Sequence, residues 1–249
     1  WLHSIPRKYE RKMTDDEFRR ALWLRLGIEF TDGPNMCNCK KHPVLFVDEH
    51  VDHILNCKQL NGPIKRRHDS LLSEIKSMCQ HAGLQYTDPR YGQLRTALND
   101  DGKTTDGYIR GLGDRSLFID VTIANPTGPT YMSDGSTIHR HYALNDLAAG
   151  KVRKYAARCD VFGSDFTPLV FEIYGATSPE VDNFIKAVVS KAAEVNNIDY
   201  AILLNYWKKR LSVNLQIGNV AIISEGYRRL YNYGGGNMDR DFATERLHE

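Results

Sequence analysis

The chain has 249 residues, 41% of them hydrophobic, and 33 Lys and Arg against 31 Asp and Glu give a net charge of +2. That length suits one domain with extensions or two small domains; the near balance of charge excludes a polycation acting through bulk charge, and no apolar run approaches the roughly 18 residues of a membrane span. Five cysteines, an odd number at uneven spacing, argue against a disulfide framework and for a reducing compartment.

The N-terminal stretch is charged and amphipathic, unlike a signal peptide. A chain that starts at Trp1 reads as a piece of something longer. Trp1, Leu2 and Ile5 are expected to dock this segment on the body. A capping box, Thr14-Asp15-Asp16-Glu17, then starts a helix. Phe18, Ala21, Leu22 and Leu26 recur along it at helical spacing, and Gly27 ends it.

Residues 37 to 57, CNCKKHPVLFVDEHVDHILNC, pair Cys37 with Cys39 and His53 with Cys57. The i, i+4 spacing puts His53 and Cys57 on one face of a helical turn. A Cys pair on a loop facing a His/Cys pair on a helix builds a tetrahedral Cys₃His zinc site. His42 and His50 are rival ligands without that spacing. The segment is too short to build its own core, which favours structural zinc. Basic clusters follow at Lys65-Arg66-Arg67-His68, Lys151 to Arg158 and Lys208-Lys209-Arg210, with earlier ones at Arg7-Lys8, Arg11-Lys12 and Lys40-Lys41. Clusters of this kind can track phosphates.

HDSLLSEIKSMCQHA, residues 68 to 82, reads as an amphipathic helix with Leu71, Leu72, Ile75, Met78 and Cys79 inward and Glu74 on its flank. A short strand at Leu84 to Thr87 and a loop through Lys103 precede the central stretch, TDGYIRGLGDRSLFIDVT. This is a hairpin turning at Gly111, Gly113 and Asp114. Its second strand puts Leu117, Ile119, Val121 and Ile123 on one face and Phe118, Asp120 and Thr122 on the other. Asp106 and Asp120 are acids a plain hairpin does not need. Two carboxylates converging from neighbouring strands suit Mg²⁺, which is oxygen-loving and keeps waters for a substrate phosphate.

The run NPTGPTYMSDGST is expected to be a loop. Tyr142 to Arg158 is a helix with Leu144, Leu147, Ala148, Val152 and Tyr155 inward and Lys151, Lys154 and Arg158 on an adjoining face. Pro168 to Gly175 is a buried strand holding a further acid, Glu172. Ser178-Pro179 opens a helix with the stripe Phe184, Ile185, Val188 and Ala192. Two more helices are expected over Ile198 to Leu211 and Ser212 to Leu230, and the tail from Gly234 is expected to be disordered. No internal repeat is visible.

The order from 68 to 175 is α-β-β-β-α-β. Together with CxC…HxxxC, KRRHD at 65 to 69, TTDGYI, IDVTI, KxxKY at 151 to 155, PLVFEIYG and the N-terminal WL…P…DDEF…LRLGI, it resembles the restriction-like endonuclease of non-LTR retrotransposons, a branch of the PD-(D/E)XK superfamily. The resemblance runs to about residue 230. It implies an α/β (α+β) restriction-endonuclease-like αβββαβ core over 68–180, after an N-terminal helical segment at 1–36 and a zinc knuckle at 37–67, and before C-terminal helices and tail at 181–249. It implies metal-dependent hydrolysis of DNA phosphodiesters, a nick that primes reverse transcription, in the nucleus, within a larger reverse transcriptase polyprotein that also meets element RNA. Asp106 and Asp120 would bind Mg²⁺ or Mn²⁺. Lys151, or its neighbour Lys154, would stabilise the phosphate, with Tyr155 bordering the site. Glu172 is a supporting acid or a hydrogen-bonded core residue. Lys65, Arg66, Arg67, His68 and Arg158 would hold DNA by its phosphates. Thr105 stands where the superfamily has Pro, and Thr122 where it often has Lys. An inactive nucleic-acid or protein scaffold on the same fold is the competing reading. A zinc-bearing single-strand or RNA binder, stacking bases on tyrosines such as Tyr86, Tyr91 and Tyr108, is a third.

Overall fold

A computed structural model describes residues 12–28, 36–37, 44–45, 51–89, 104–134 and 138–234. The expectations for Trp1, Leu2, Ile5, Cys39, the loop after Pro89 and the tail beyond Gly234 fall outside them. The fold is mixed α/β, with a four-stranded mixed sheet and, among the described residues, seven α-helices. The chain divides into two compact units. One centres on His68–Gln216, the other on Met13–Arg67 with the segment from Ile217 on.

In the unit of Met13–Arg67 and Ile217 onward, α1 spans Asp15–Leu26. The Thr14 side chain accepts the Glu17 N–H at 3.2 Å and the Glu17 carboxylate accepts the Thr14 N–H at 2.8 Å. Gly27 ends the helix in the left-handed conformation. The buried stripe is Ala21 and Leu24, whereas Phe18 and Leu26 are exposed. Strands β1 (Met36–Cys37) and β2 (Val44–Leu45) pair antiparallel. Helix α2 (Val51–Asn56) follows, then a 3₁₀ turn at Lys58–Leu60. Ile54, Leu55, Cys57 and Leu60 are buried here, as are Val220, Ile222 and Ile223.

Helix α3 spans Asn61–His81, so it starts well before the expected position 68. The Asn-Gly-Pro at its start reads like a turn. Proline in a first turn costs little, however, because its missing N–H would have no helical partner there.

The other unit is built on a sheet of order β3-β4-β5-β6. Strands β3 (Gln85–Thr87), β4 (Gly107–Arg110) and β5 (Ser116–Ala124) are antiparallel neighbours. A short helix α4 (Pro129–Asp134) sits in the run expected to be loop. Helix α5 (Tyr142–Val161) then carries the chain to β6 (Ser164–Glu172), which pairs parallel with β5 from Ser116↔Ser164 to Ala124↔Glu172. Helix α6 spans Pro179–Asn196. Helix α7 spans Tyr200–Gly234 as one element, not two, because nothing near Ser212 breaks it.

The alternation of β5 sorts its side chains between two cores. Ile119 and Val121 join Leu71, Ile75 and Met78 of α3, Phe184 and Val188 of α6, and Leu203, Trp207 and Leu211 of α7. On the opposite face Phe118 packs with Tyr155 and Cys159, while Ala124 and Val170 pack with Leu144 and Ala148. The sheet is therefore covered on both faces. Val152, expected inside, is exposed; Cys159 takes the inner position one turn on from Tyr155.

Candidate active site

The paired register Tyr108↔Phe118 ends at Gly107↔Ile119, and just before it the Asp106 N–H donates to the Ile119 carbonyl at 2.9 Å, out of step with the ladder. Asp106 lies close enough to Asp120 for its charge to act on that carboxyl. Gly107 lets the strand enter: a Cβ there would meet Tyr86 Oη at 2.5 Å and Ile119 Cγ1 at 2.9 Å. The Tyr86 hydroxyl donates to the Asp106 carbonyl at 2.9 Å. The Asp106 carboxylate then accepts the Val121 N–H on Oδ2 at 2.8 Å, where β4 offers no backbone acceptor. His68 Nε2 lies 3.2 Å from the same oxygen.

Asp120 is only 4% exposed. Lys151 Nζ reaches its Oδ2 at 2.6 Å, and the Thr122 hydroxyl donates to the same atom at 3.3 Å. Burial pushes the Asp120 carboxyl above its ordinary range; Lys151 opposes that rise and the neighbouring charge of Asp106 adds to it. Lys151 is held against the sheet because α5 packs through Ala148 and Tyr155, three residues before it and four after. Lys154 Nζ lies 4.7 Å from the centre of the Tyr155 ring, and Lys151 Nζ 5.9 Å.

Compared with known proteins, the chain matches no family model and no curated protein.

Of the expected acids and bases, Asp106, Asp120 and Lys151 come together. Lys154 is half-buried beside them, and Tyr155 borders them through a buried ring that also packs on Phe166 at 5.4 Å. Glu172 does not join the pair. It closes β6 opposite Ala124, four residues from Asp120 and so about 13 Å along the strand. It is half-buried rather than enclosed. Desolvation pushes its carboxyl up, and the charge of His141 opposes this.

The basic run at 65 to 68 splits. Lys65 and Arg66 are exposed, as a phosphate contact requires. Arg67 is 4% exposed and donates to Asn219 Oδ1 at 2.8 Å; burial lowers its pKa to about 10. A side chain so enclosed offers no surface charge, which removes Arg67 from the phosphate-binding set. His68 is half-buried, with Nε2 3.2 Å from Asp106 Oδ2. Arg158 is half-buried on α5.

Sequence reasoning missed the support around Asp106 given by His68 and Tyr86. A signal was present, since positions 67 and 68 precede Leu71, Leu72 and Ile75 at helical spacing and continue the inner stripe.

For the zinc ligands, Cys37 lies on β1, His53 is half-buried on α2 and Cys57 is buried just past its end. Cys39 is outside the described residues. Among the described residues no group of three or more His, Cys, Asp and Glu side chains is arranged to hold a metal ion. Asp106 and Asp120 therefore make a two-carboxylate donor set. That number fits Mg²⁺ or Mn²⁺ completed by water and phosphate oxygens. The contacts of both carboxylates fall on Oδ2. A dication would also offset the burial that makes ionised Asp120 costly.

Proposed function

We propose that this chain is a Mg²⁺- or Mn²⁺-dependent endonuclease that hydrolyses DNA phosphodiesters, of the PD-(D/E)XK restriction-like type found in non-LTR retrotransposons. The observation that carries this reading is buried Asp120, paired with Lys151 at 2.6 Å and within reach of the charge of Asp106, just before β4. The order of the described elements from α3 to β6, a helix, three strands, the short helix α4, helix α5 and a strand, supports it, with the acids at the hairpin and the lysine on α5.

Asp106 and Asp120 would hold the metal, which when bound supplies an activated water and neutralises charge on the phosphate. The ammonium of Lys151 stands beside Asp120 and would meet a non-bridging phosphate oxygen of bound DNA, where charge accumulates during attack. A well-placed donor of this kind is worth roughly 3 kcal/mol. Lys154 is the neighbouring cation. Lys65, Arg66 and Arg158 would hold DNA through phosphates, a salt-dependent and largely sequence-independent contact. Cys37, Cys39, His53 and Cys57 would bind structural Zn²⁺. In this reading the chain nicks target DNA in the nucleus as part of a reverse transcriptase polyprotein whose element RNA is copied from the nick.

One observation favours a second reading, an inactive scaffold. Lys151 and His68 already give each acid a cationic or hydrogen-bonding partner, so both acids have structural reasons to persist.

The deciding experiment is nicking of supercoiled plasmid in Mg²⁺, Mn²⁺ or EDTA by wild type, Asp120→Ala and Lys151→Ala. Metal-dependent nicking lost in Asp120→Ala and at least 100-fold lower in Lys151→Ala supports the nuclease. Retained DNA binding without cleavage of plasmid, nicked or branched substrates supports the scaffold.

A further inference from the structure

The proposed nuclease does not account for the imidazole behind Asp106. His68 stands in the first half of α3, 38 residues before Asp106 in sequence. Its Nε2 lies 3.2 Å from Asp106 Oδ2 and 3.2 Å from the Val121 carbonyl oxygen. Its Nδ1 lies 3.2 Å from Asp69 Oδ1. The Val121 carbonyl can only accept, so Nε2 is placed to donate toward it and toward Asp106 Oδ2.

The imidazole therefore ties a carboxylate that enters from β4 to a backbone carbonyl of β5, the strand that carries Asp120. The Val121 N–H binds the same Oδ2 from the other side. Held twice, Oδ2 cannot rotate away, and the carboxylate plane is fixed relative to Asp120. Asp69 orients the ring in turn.

Resting on the nuclease reading, we propose that His68 is a positioning residue: its Nε2–H bridges Asp106 Oδ2 and the Val121 carbonyl and so sets the pose in which Asp106 receives the divalent cation. His68 touches neither substrate nor reacting atoms; it acts through Asp106. Hydrogen-bonded partners of metal-binding carboxylates typically contribute 10- to 100-fold in metal affinity or activity.

The test contrasts two amides in the full chain. Glutamine carries its NH₂ about where Nε2 lies and has two hydrogens, one for each acceptor. Asparagine is one methylene shorter and reaches only the Nδ1 position. His68→Gln, His68→Asn and His68→Ala are compared by Mn²⁺ titration calorimetry without DNA, by DNA affinity in EDTA, and by single-turnover cleavage at low and saturating Mn²⁺. Expected are Mn²⁺ binding and low-metal cleavage within threefold of wild type in His68→Gln, and at least tenfold weaker in His68→Asn. DNA affinity in EDTA should change less than twofold in both. His68→Ala should follow His68→Asn if it folds, and the Gln/Asn contrast stands without it. Equal Mn²⁺ affinity in Gln, Asn and wild type, with wild type binding Mn²⁺ and cutting DNA, overturns the positioning role alone. A wild type that neither binds Mn²⁺ nor cuts overturns the nuclease reading and this inference with it.

Discussion

Lys151 Nζ contacts Asp120 Oδ2 at 2.6 Å, and the two ends of the pair differ in exposure: the Asp120 side chain is 5% exposed and that of Lys151 28%. The pair is therefore asymmetric in what its loss costs. Lys151→Met leaves a carboxylate desolvated beside Asp106 with one partner fewer, and is expected to destabilise by about 2 kcal/mol. Asp120→Asn leaves a lysine that can turn to water, and should cost less than about 1 kcal/mol. The double variant should sit near Asp120→Asn, a coupling of about 1–2 kcal/mol in urea unfolding in EDTA. A Lys151→Met protein as stable as wild type would show that water or protonation, not the lysine, satisfies the buried acid.

Gly218 lies inside α7, where alanine ordinarily stabilises by up to about 1 kcal/mol through helix propensity. Here a Cβ would meet Arg67 Cγ at 2.5 Å, Cβ at 3.0 Å and Cα at 3.3 Å. The last of these is backbone and cannot swing away. Overpacking of about 1–3 kcal/mol wins over propensity, so Gly218→Ala is expected to destabilise. Adding Arg67→Ala removes the closest atom, Cγ, while Cβ and Cα remain, and should recover part of the loss relative to Arg67→Ala alone. Chemical unfolding of the four proteins checks the sign; a stabilised Gly218→Ala would mean that α3 and α7 part locally at little cost.

These two sites also show where sequence was legible. The β5 alternation set Ile119 and Val121 against Phe118 and Asp120 and was enough to place the acid on the α5 face. The capping box, the Gly27 stop and the α6 stripe were equally local signals. What failed was non-local. Arg67 looks like a member of a basic run; its spacing to Leu71 marks the inner stripe, but the Gly218 and Asn219 that enclose it lie more than 150 positions away. The partnership of His68 with Asp106 depends on where β4 enters the sheet, which the intervening residues do not announce. The break expected near residue 212 has no glycine or proline there to enforce it, and the helix runs on.

The zinc reading predicts one Zn²⁺ per chain, released by mercurial titration and measured with a colorimetric chelator. Cys57 is buried at 1% exposure just past α2, so Cys57→Ser should abolish stoichiometric zinc without relying on a surface thiol. Chelation should lower the thermal stability of the unit formed by Met13–Arg67 and the segment from Ile217 on. The unit of His68–Gln216, which contains Asp106, Asp120 and Lys151, should keep its hydrogen-exchange protection. Metal-free protein with native protection throughout would reduce Cys57 to a packed apolar side chain.

Glu172 carries the pH prediction. Its carboxyl is pushed above the ordinary value of 4.5 chiefly by desolvation, with His141 in opposition. A raised carboxyl means the folded state holds its proton more tightly than the unfolded state. Between pH 4.5 and the raised folded value, the unfolded chain binds fewer protons, so stability falls as pH rises through that window. Above it the penalty is constant; below 4.5 it is absent. Glu172→Gln cannot ionise and lacks the penalty. The variant should therefore equal wild type near pH 4 and exceed it at pH 7, with the gap opening above 4.5. Urea unfolding of both proteins at half-unit pH steps measures the gap directly. A gap that is flat with pH would show that Glu172 is solvated in the folded protein, and one that opens in the reverse sense would reveal a cation holding it ionised.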